Sequence, residues 1–188
     1  LYMLIYNTID LCKLAYKRLR IDDMYRLVQS IPKGDDALKE FNNYIAQRNS
    51  GKQDGDPNFF YDTFILANRN KNEAVRKYQE NLGIKELASL EADPNKEEVL
   101  SMYVPEQRLF TLLEDFFAKN YIGLSDKTRS IIDYSFSGFL FRLMREPINS
   151  LFFNGLTNFV PEDSIKGKII LIDLPVKKFY NAGRDCQT

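Results

Sequence analysis

The segment Lys168-Ile169-Ile170-Leu171-Ile172-Asp173-Leu174 decides how the chain is read. Five of its seven residues are branched aliphatics, four of them in an unbroken run rather than in alternation with polar residues. Such a run suits a β-strand covered on both faces, as in a parallel α/β sheet. It is the one convincing strand in the sequence, and a lone strand leaves its main-chain donors and acceptors without partners. The expectation is therefore a buried C-terminal strand in a sheet whose other members lie mostly outside this chain. The opening at Leu1, without a start methionine, and the ending Asp185-Cys186-Gln187-Thr188 lead to the same expectation of an excised piece of a longer protein.

Upstream of this strand the pattern is helical. Leu1, Leu4, Ile5, Ile9, Cys12 and Tyr16 recur at three- and four-residue steps and predict one face of a first helix, with Lys13, Lys17 and Arg20 at similar spacing on another face. Asp22 is a good N-cap for a second helix carrying Met24, Leu27, Val28 and Ile31, which Pro32-Lys33-Gly34 ends. A third helix is predicted from about Asp35, with Leu38, Phe41, Ile45 and Tyr44. The polar stretch 49–57, rich in turn formers, is the clearest loop.

A fourth helix is expected from Phe59 to Leu82, with Gly83 placed for a left-handed C-terminus. Asp93-Pro94 marks a break. A fifth helix spans about Glu97 to Asn120, bent or restarted at Pro105, and Leu109, Leu112, Leu113, Phe116 and Phe117 form its apolar face. Ser125 caps a sixth helix carrying Ile131, Ile132, Phe136, Phe139, Leu140, Leu143 and Met144, which Glu146-Pro147 ends. Asn154-Gly155 is a turn signal.

Composition narrows the function. The chain has 188 residues, enough for one substantial domain or one domain plus a piece of a neighbour. At 44% hydrophobic and 28% charged it belongs with globular proteins. Its 26 basic and 26 acidic side chains cancel, which excludes a strongly cationic nucleic-acid glove. There is no histidine, so Ser-His-Asp, Cys-His and HExxH chemistries and any histidine base are excluded. Cys12 and Cys186 have no metal-ligand spacing and read as two reduced thiols of a cytosolic protein. No run of 18 apolar residues exists. Asn7, Thr8 and Asp10 interrupt the apolar opening, which has no basic region before it and no cleavage site, so it is not a signal peptide.

Charge is unevenly spread. Residues 1–34 hold six basic and three acidic side chains, whereas residues 84–118 hold three basic and eight acidic. Lys13, Lys17, Arg18 and Arg20 are candidates for phosphate or partner contact, giving salt-sensitive binding without base specificity; the plainer reading is a solvated helix face. Paired carboxylates at Asp22-Asp23, Asp35-Asp36 and Glu97-Glu98 read as helix-end electrostatics. The 14 Phe and 11 Tyr read as core.

No phosphate loop is present. Gly51-Lys52 is followed by Gln53 and has Ala46 where the first glycine would stand, and Gly167-Lys168 opens a strand instead of a helix. Asp173 has the strand-end position of a magnesium-holding aspartate, but Leu174 and Pro175 follow in place of a water-orienting glutamate. No catalytic, cofactor-binding or metal-ligating residue is assigned.

The stretch Phe152-Phe153-Asn154-Gly155-Leu156-Thr157-Asn158-Phe159-Val160-Pro161-Glu162-Asp163, leading into Gly167-Lys168-Ile169-Ile170-Leu171-Ile172-Asp173-Leu174-Pro175-Val176-Lys177, resembles the segment that re-enters the motor core in TraG-like type IV coupling ATPases, the FtsK/HerA-type DNA-pumping motors of conjugation. Leu124-Ser125-Asp126-Lys127-Thr128-Arg129-Ser130-Ile131 is similar to a helix start in some members, and Asn7-Thr8-Ile9-Asp10-Leu11 to the opening of their helical insertion.

The resemblance implies a mainly α chain. Residues 1–150 would be an all-helical domain inserted into a RecA-like α/β core, 151–164 a connector, and 165–188 a strand and helix start of that core, most of which is absent here. It further implies a DNA- or relaxosome-recognition role without catalysis in this piece, with ATP and magnesium held by other parts of a cytoplasmic parent at the inner membrane. The parent's partners would be DNA or the relaxase complex, and the parent itself a hexamer. The second reading is a helical protein–protein interaction module with no motor. A self-contained enzyme, the third, would need a carboxylate or lysine site.

Overall fold

The computed structural model of the protein describes residues 1–34, 36–47, 58–146, 148–152, 160, 162–169 and 171. The described elements are α1 (Tyr2–Tyr16), α2 (Ile21–Gln29), α3 (Ala37–Gln47), α4 (Phe59–Glu80), α5 (Ile84–Ala92), α6 (Lys96–Tyr103), α7 (Pro105–Asp115), a π-helix (Phe116–Ile122), α8 (Asp126–Met144), α9 (Ile148–Phe152) and α10 (Glu162–Ile165). The protein is mainly α. It divides into two compact units, Leu1–Ser135 and Phe136–Thr188, with the boundary inside α8.

In the first unit α1, α4 and α7 pack pairwise against one another, α2 covers α1 and α4, and α3 lies on the π-helix. The four apolar residues expected on the second helix, Met24, Leu27, Val28 and Ile31, are all buried. On α1 the buried residues are Leu4, Thr8, Leu11, Cys12, Leu14 and Ala15, displaced from the expected face: Leu1 is exposed, and Ile5, Ile9 and Tyr16 are only partly covered. Thr8 is admitted to the core because its hydroxyl donates to the Leu4 carbonyl at 2.6 Å.

The centre is aromatic. Phe64 on α4 meets Phe60, Phe41 of α3, Phe110 of α7 and Phe117 of the π-helix, with ring centroids 4.9, 5.5, 6.0 and 5.6 Å away. These contacts are edge-on, the arrangement the ring quadrupole favours. Each such buried side chain contributes about 1.5–3 kcal/mol through removal from water.

Local chemistry sets the boundaries. Asn58 caps α4, its side-chain oxygen accepting from the Phe60 and Tyr61 amides at 2.9 and 3.3 Å. Ser125 accepts from the Thr128 amide at 3.4 Å ahead of α8, as its position predicts. Pro105 begins a helix of its own, since it has no amide to lose at a first turn. The single fifth helix is thus three elements: α6, α7 and the π-helix. The i→i+5 bonding of a π-helix brings residues five apart onto one face. Phe116 accordingly stacks on Tyr121, and both turn inward with Phe117 and Ile122.

Three sequence expectations change. Gly83 is not a left-handed helix end; α4 stops at Glu80, and Gly83 is the N-cap of α5, its amide donating to the Glu86 carboxylate at 3.0 Å. α2 starts at Ile21 with Arg20 as N-cap, which puts Asp22 and Asp23 in the first turn, where their charge favours the helix dipole. α1 ends at Tyr16, so Lys17 and Arg20 do not continue its polar face.

The second unit buries Phe136, Leu140 and Ile148. Of the anticipated strand, Lys168, Ile169 and Leu171 are described. They have no regular structure, and Ile169 and Leu171 are 97% and 89% exposed. Ile170, residues 172–188 (which include Asp173 and Cys186), residues 153–159 with the Asn154-Gly155 turn, Pro161 and the loop at 49–57 lie outside the described residues. Among the described residues no helix is long and apolar enough to cross a membrane.

Candidate functional site

The four cations singled out by the sequence come together at the α1–α2 junction, each from a different local setting. Lys13 is in the last turn of α1. Lys17 is the C-cap, held left-handed at φ 56° with its amide donating to the Lys13 carbonyl at 3.0 Å. Arg18 follows in the turn, and Arg20 is extended ahead of α2. All four are exposed.

The junction is firmly built. The Asn70 side-chain amide on α4 donates to the Leu14 and Ala15 carbonyls, both at 2.8 Å. It thereby satisfies two of the carbonyls that a helix end leaves open. Positive charge beside that end is favoured by the dipole. Arg18 reaches the Asp23 carboxylate at 4.0 Å. Lys17 acts with Lys77 and Arg76 in holding the Glu73 carboxyl below its usual range, the Lys77 hydrogen bond being the largest cause. The arrangement is a cationic corner on a rigid base, suited to a polyanion or an acidic protein surface.

Behind the corner lies a partly buried charge the sequence does not signal. Asp23 sits near Cys12 and Tyr16. Burial first, and the Asp23 carboxylate second, push the Cys12 thiol up to about 12. Burial, aided by Glu40, pushes the Tyr61 phenol up to about 12 as well. Both groups stay neutral in the fold while their unfolded counterparts ionise near 9 and 10. Their contribution to stability is therefore complete below pH 9 and is lost as pH rises toward 12. Urea unfolding should show a loss of about 2 kcal/mol between roughly pH 9 and 10.5. A thiol reagent should label Cys12, in a Cys186→Ser background, only as fast as the fold opens. Rapid labelling of the native protein would contradict the burial.

A second polar cluster pins the segment after α2. Arg129 of α8 is buried and donates to the main-chain carbonyls of Ile31, at 2.9 Å, and Pro32. Its guanidinium lies 5.0 Å from the centre of the Tyr121 ring. The Tyr121 hydroxyl donates to Asp133, whose other oxygen is 3.2 Å from the Lys33 ammonium. Burial and the Asp133 hydrogen bond raise the Tyr121 phenol well above its usual range. The cluster ties α2, the π-helix and α8 together. Only the one-turn spacing of Arg129 and Asp133 on a helix hinted at it, because its other members come from distant parts of the chain.

Among the described residues no group of three or more acidic or cysteine side chains is arranged to hold a metal ion. No family model, curated protein or solved structure matches this chain.

Proposed function

We propose that the chain is the helical recognition domain of a TraG-like, conjugation-type DNA-translocating ATPase. In this reading it meets DNA or the relaxase complex through the α1–α2 corner and performs no chemistry itself. ATP and magnesium belong to parts of a hexameric parent outside this chain, as does any membrane attachment.

The observation that carries the proposal is the exposure of Ile169 and Leu171, 97% and 89%, inside an unbroken aliphatic run. Large aliphatics are left in water at a cost of about 1.5–3 kcal/mol each unless another surface covers them. A neighbouring sheet is the surface that such a run fits. The mainly helical body ahead of it and the resemblance of residues 152–177 to a motor re-entry segment agree with that reading.

Two measurements test it. The gene should encode a glycine-rich loop ending in Gly-Lys-Ser or Gly-Lys-Thr upstream and an Asp-Glu strand downstream; their absence would leave a free-standing interaction module. DNA binding should weaken with salt, and Lys13→Ala with Lys17→Ala and Arg20→Ala should reduce the log–log salt slope by about 0.9 for each cation lost. Equal affinity of the changed and unchanged proteins would remove the corner from the reading.

A further inference from the structure

We propose that Asp23 is a built-in counter-charge that withholds Arg18 from the ligand of the α1–α2 corner. The inference rests on reading that corner as a polyanion site and adds an autoinhibitory contact to it. Asp23 stands in the first turn of α2 with its side chain 15% exposed. Its Oδ2 atom is buried and accepts no hydrogen bond. The groups beside it carry no positive charge. Cys12 is buried, and the Tyr16 hydroxyl is engaged with Thr63 at 2.8 Å. Both are raised by burial first and by the Asp23 carboxylate after it, so they stay neutral at physiological pH. Of the four cations of the corner, Arg18 is the one paired with Asp23.

That pairing is one of charge rather than of geometry. The Arg18 guanidinium is 4.0 Å from Oδ2, beyond hydrogen-bond reach, and its side chain is 53% exposed. Such a contact fixes no orientation, so Asp23 does not aim Arg18 at a ligand. Its effect is electrostatic. A carboxylate largely out of water is unfavourable without a compensating cation, and salt screens it less than a fully exposed charge. A phosphate that draws Arg18 away leaves Asp23 uncompensated. Binding through Arg18 therefore works against the fold's own carboxylate.

The other acids of the corner are placed differently. Glu73 is taken by Lys77 of its own helix at 2.7 Å. Asp22 adjoins Asp23 in the same first turn but is exposed. It has the same charge and the same favourable place on the helix dipole, so it is the control for the general effect of an acid near the site.

Binding of inorganic polyphosphate and of a short duplex DNA, each across a range of salt, tests the contact. Asp23→Asn should bind both about three- to tenfold more tightly, and its log–log salt slope on DNA should steepen by about 0.9, the mark of one added phosphate contact. Asp22→Asn should gain less than about twofold, because an exposed charge is screened. Arg18→Gln alone should lose less than about twofold, since Arg18 is already engaged; added to Asp23→Asn it should return affinity and slope to those of the unchanged chain. If Asp23→Asn loses its helical circular dichroism, Asp23→Ser repeats the test. Equal gains from Asp23→Asn and Asp22→Asn overturn the proposal, as does strict additivity with Arg18→Gln. Weaker binding by Asp23→Asn overturns it too and would make Asp23 a positioning residue. Polyphosphate following the expected pattern while DNA is not bound would remove the DNA reading alone; no binding of either probe by any variant would remove both.

Discussion

Replacing Phe64 by alanine is expected to lower the unfolding free energy by about 3–5 kcal/mol. The ring is essentially inaccessible to water and meets four other aromatics from α3, α4, α7 and the π-helix. Truncation removes the transfer energy of the ring and leaves a cavity that four helical elements cannot all close. A domain of this size is stable by about 5–15 kcal/mol, so the variant will sit near its folding threshold. Phe64→Leu, which restores most of the volume, should lose about 1–2 kcal/mol. Urea unfolding reads both, as a shift of midpoint at constant slope. Leu112 is the control: it lies on the same sequence-predicted apolar face as Leu113 but is exposed, so its alanine variant should change stability by less than about 0.5 kcal/mol. A Phe64→Ala loss below about 1 kcal/mol would mean that the aromatic centre is not packed as described.

Arg129→Met should cost about 3–5 kcal/mol, an effect of the same order. The methionine fills much of the space but leaves the Ile31 and Pro32 carbonyls without their donors and strips the cation from the Tyr121 ring. An unpaired buried acceptor costs about 1–3 kcal/mol. Arg129→Lys should recover only part of the loss, because a single ammonium cannot span two carbonyls and stack on a ring as a planar guanidinium does. Combining Arg129→Met with Asp133→Asn should be non-additive by about 0.5–3 kcal/mol, since both residues share Tyr121. Strict additivity would show that Arg129 and Asp133 act separately.

The helices were legible where the signal is local. Ser125 and Pro105 mark their helix starts through main-chain chemistry confined to a few residues, and the four apolar residues expected of the second helix are all buried, three of them on α2 and Ile31 just beyond its end. Gly83 was misleading because a glycine serves as readily before a helix as after one; the choice was made by Glu86, whose side chain takes the Gly83 amide. Leu112 and Ile131 fit helical apolar stripes and are exposed nonetheless. Periodicity identifies a face but not whether anything packs on it.

The candidate corner was partly legible. Three of its four cations, Lys13, Lys17 and Arg20, were named from spacing along a continuous helix, yet α1 stops at Tyr16, before Lys17, Arg18 and Arg20, and it is the left-handed Lys17, the Asn70 cap and the start of α2 that set where they stand.

By itself, the sequence determined the helical class, most element starts, the absence of histidine chemistry and the unequal charge of its two regions, because composition, capping and periodicity act over a few residues. Tertiary structure alone decided which faces are covered, where the cations meet, and that Arg129 is buried beneath a segment 98 residues earlier in the chain. Those outcomes depend on contacts between distant parts of the chain, whose free energy no local pattern encodes.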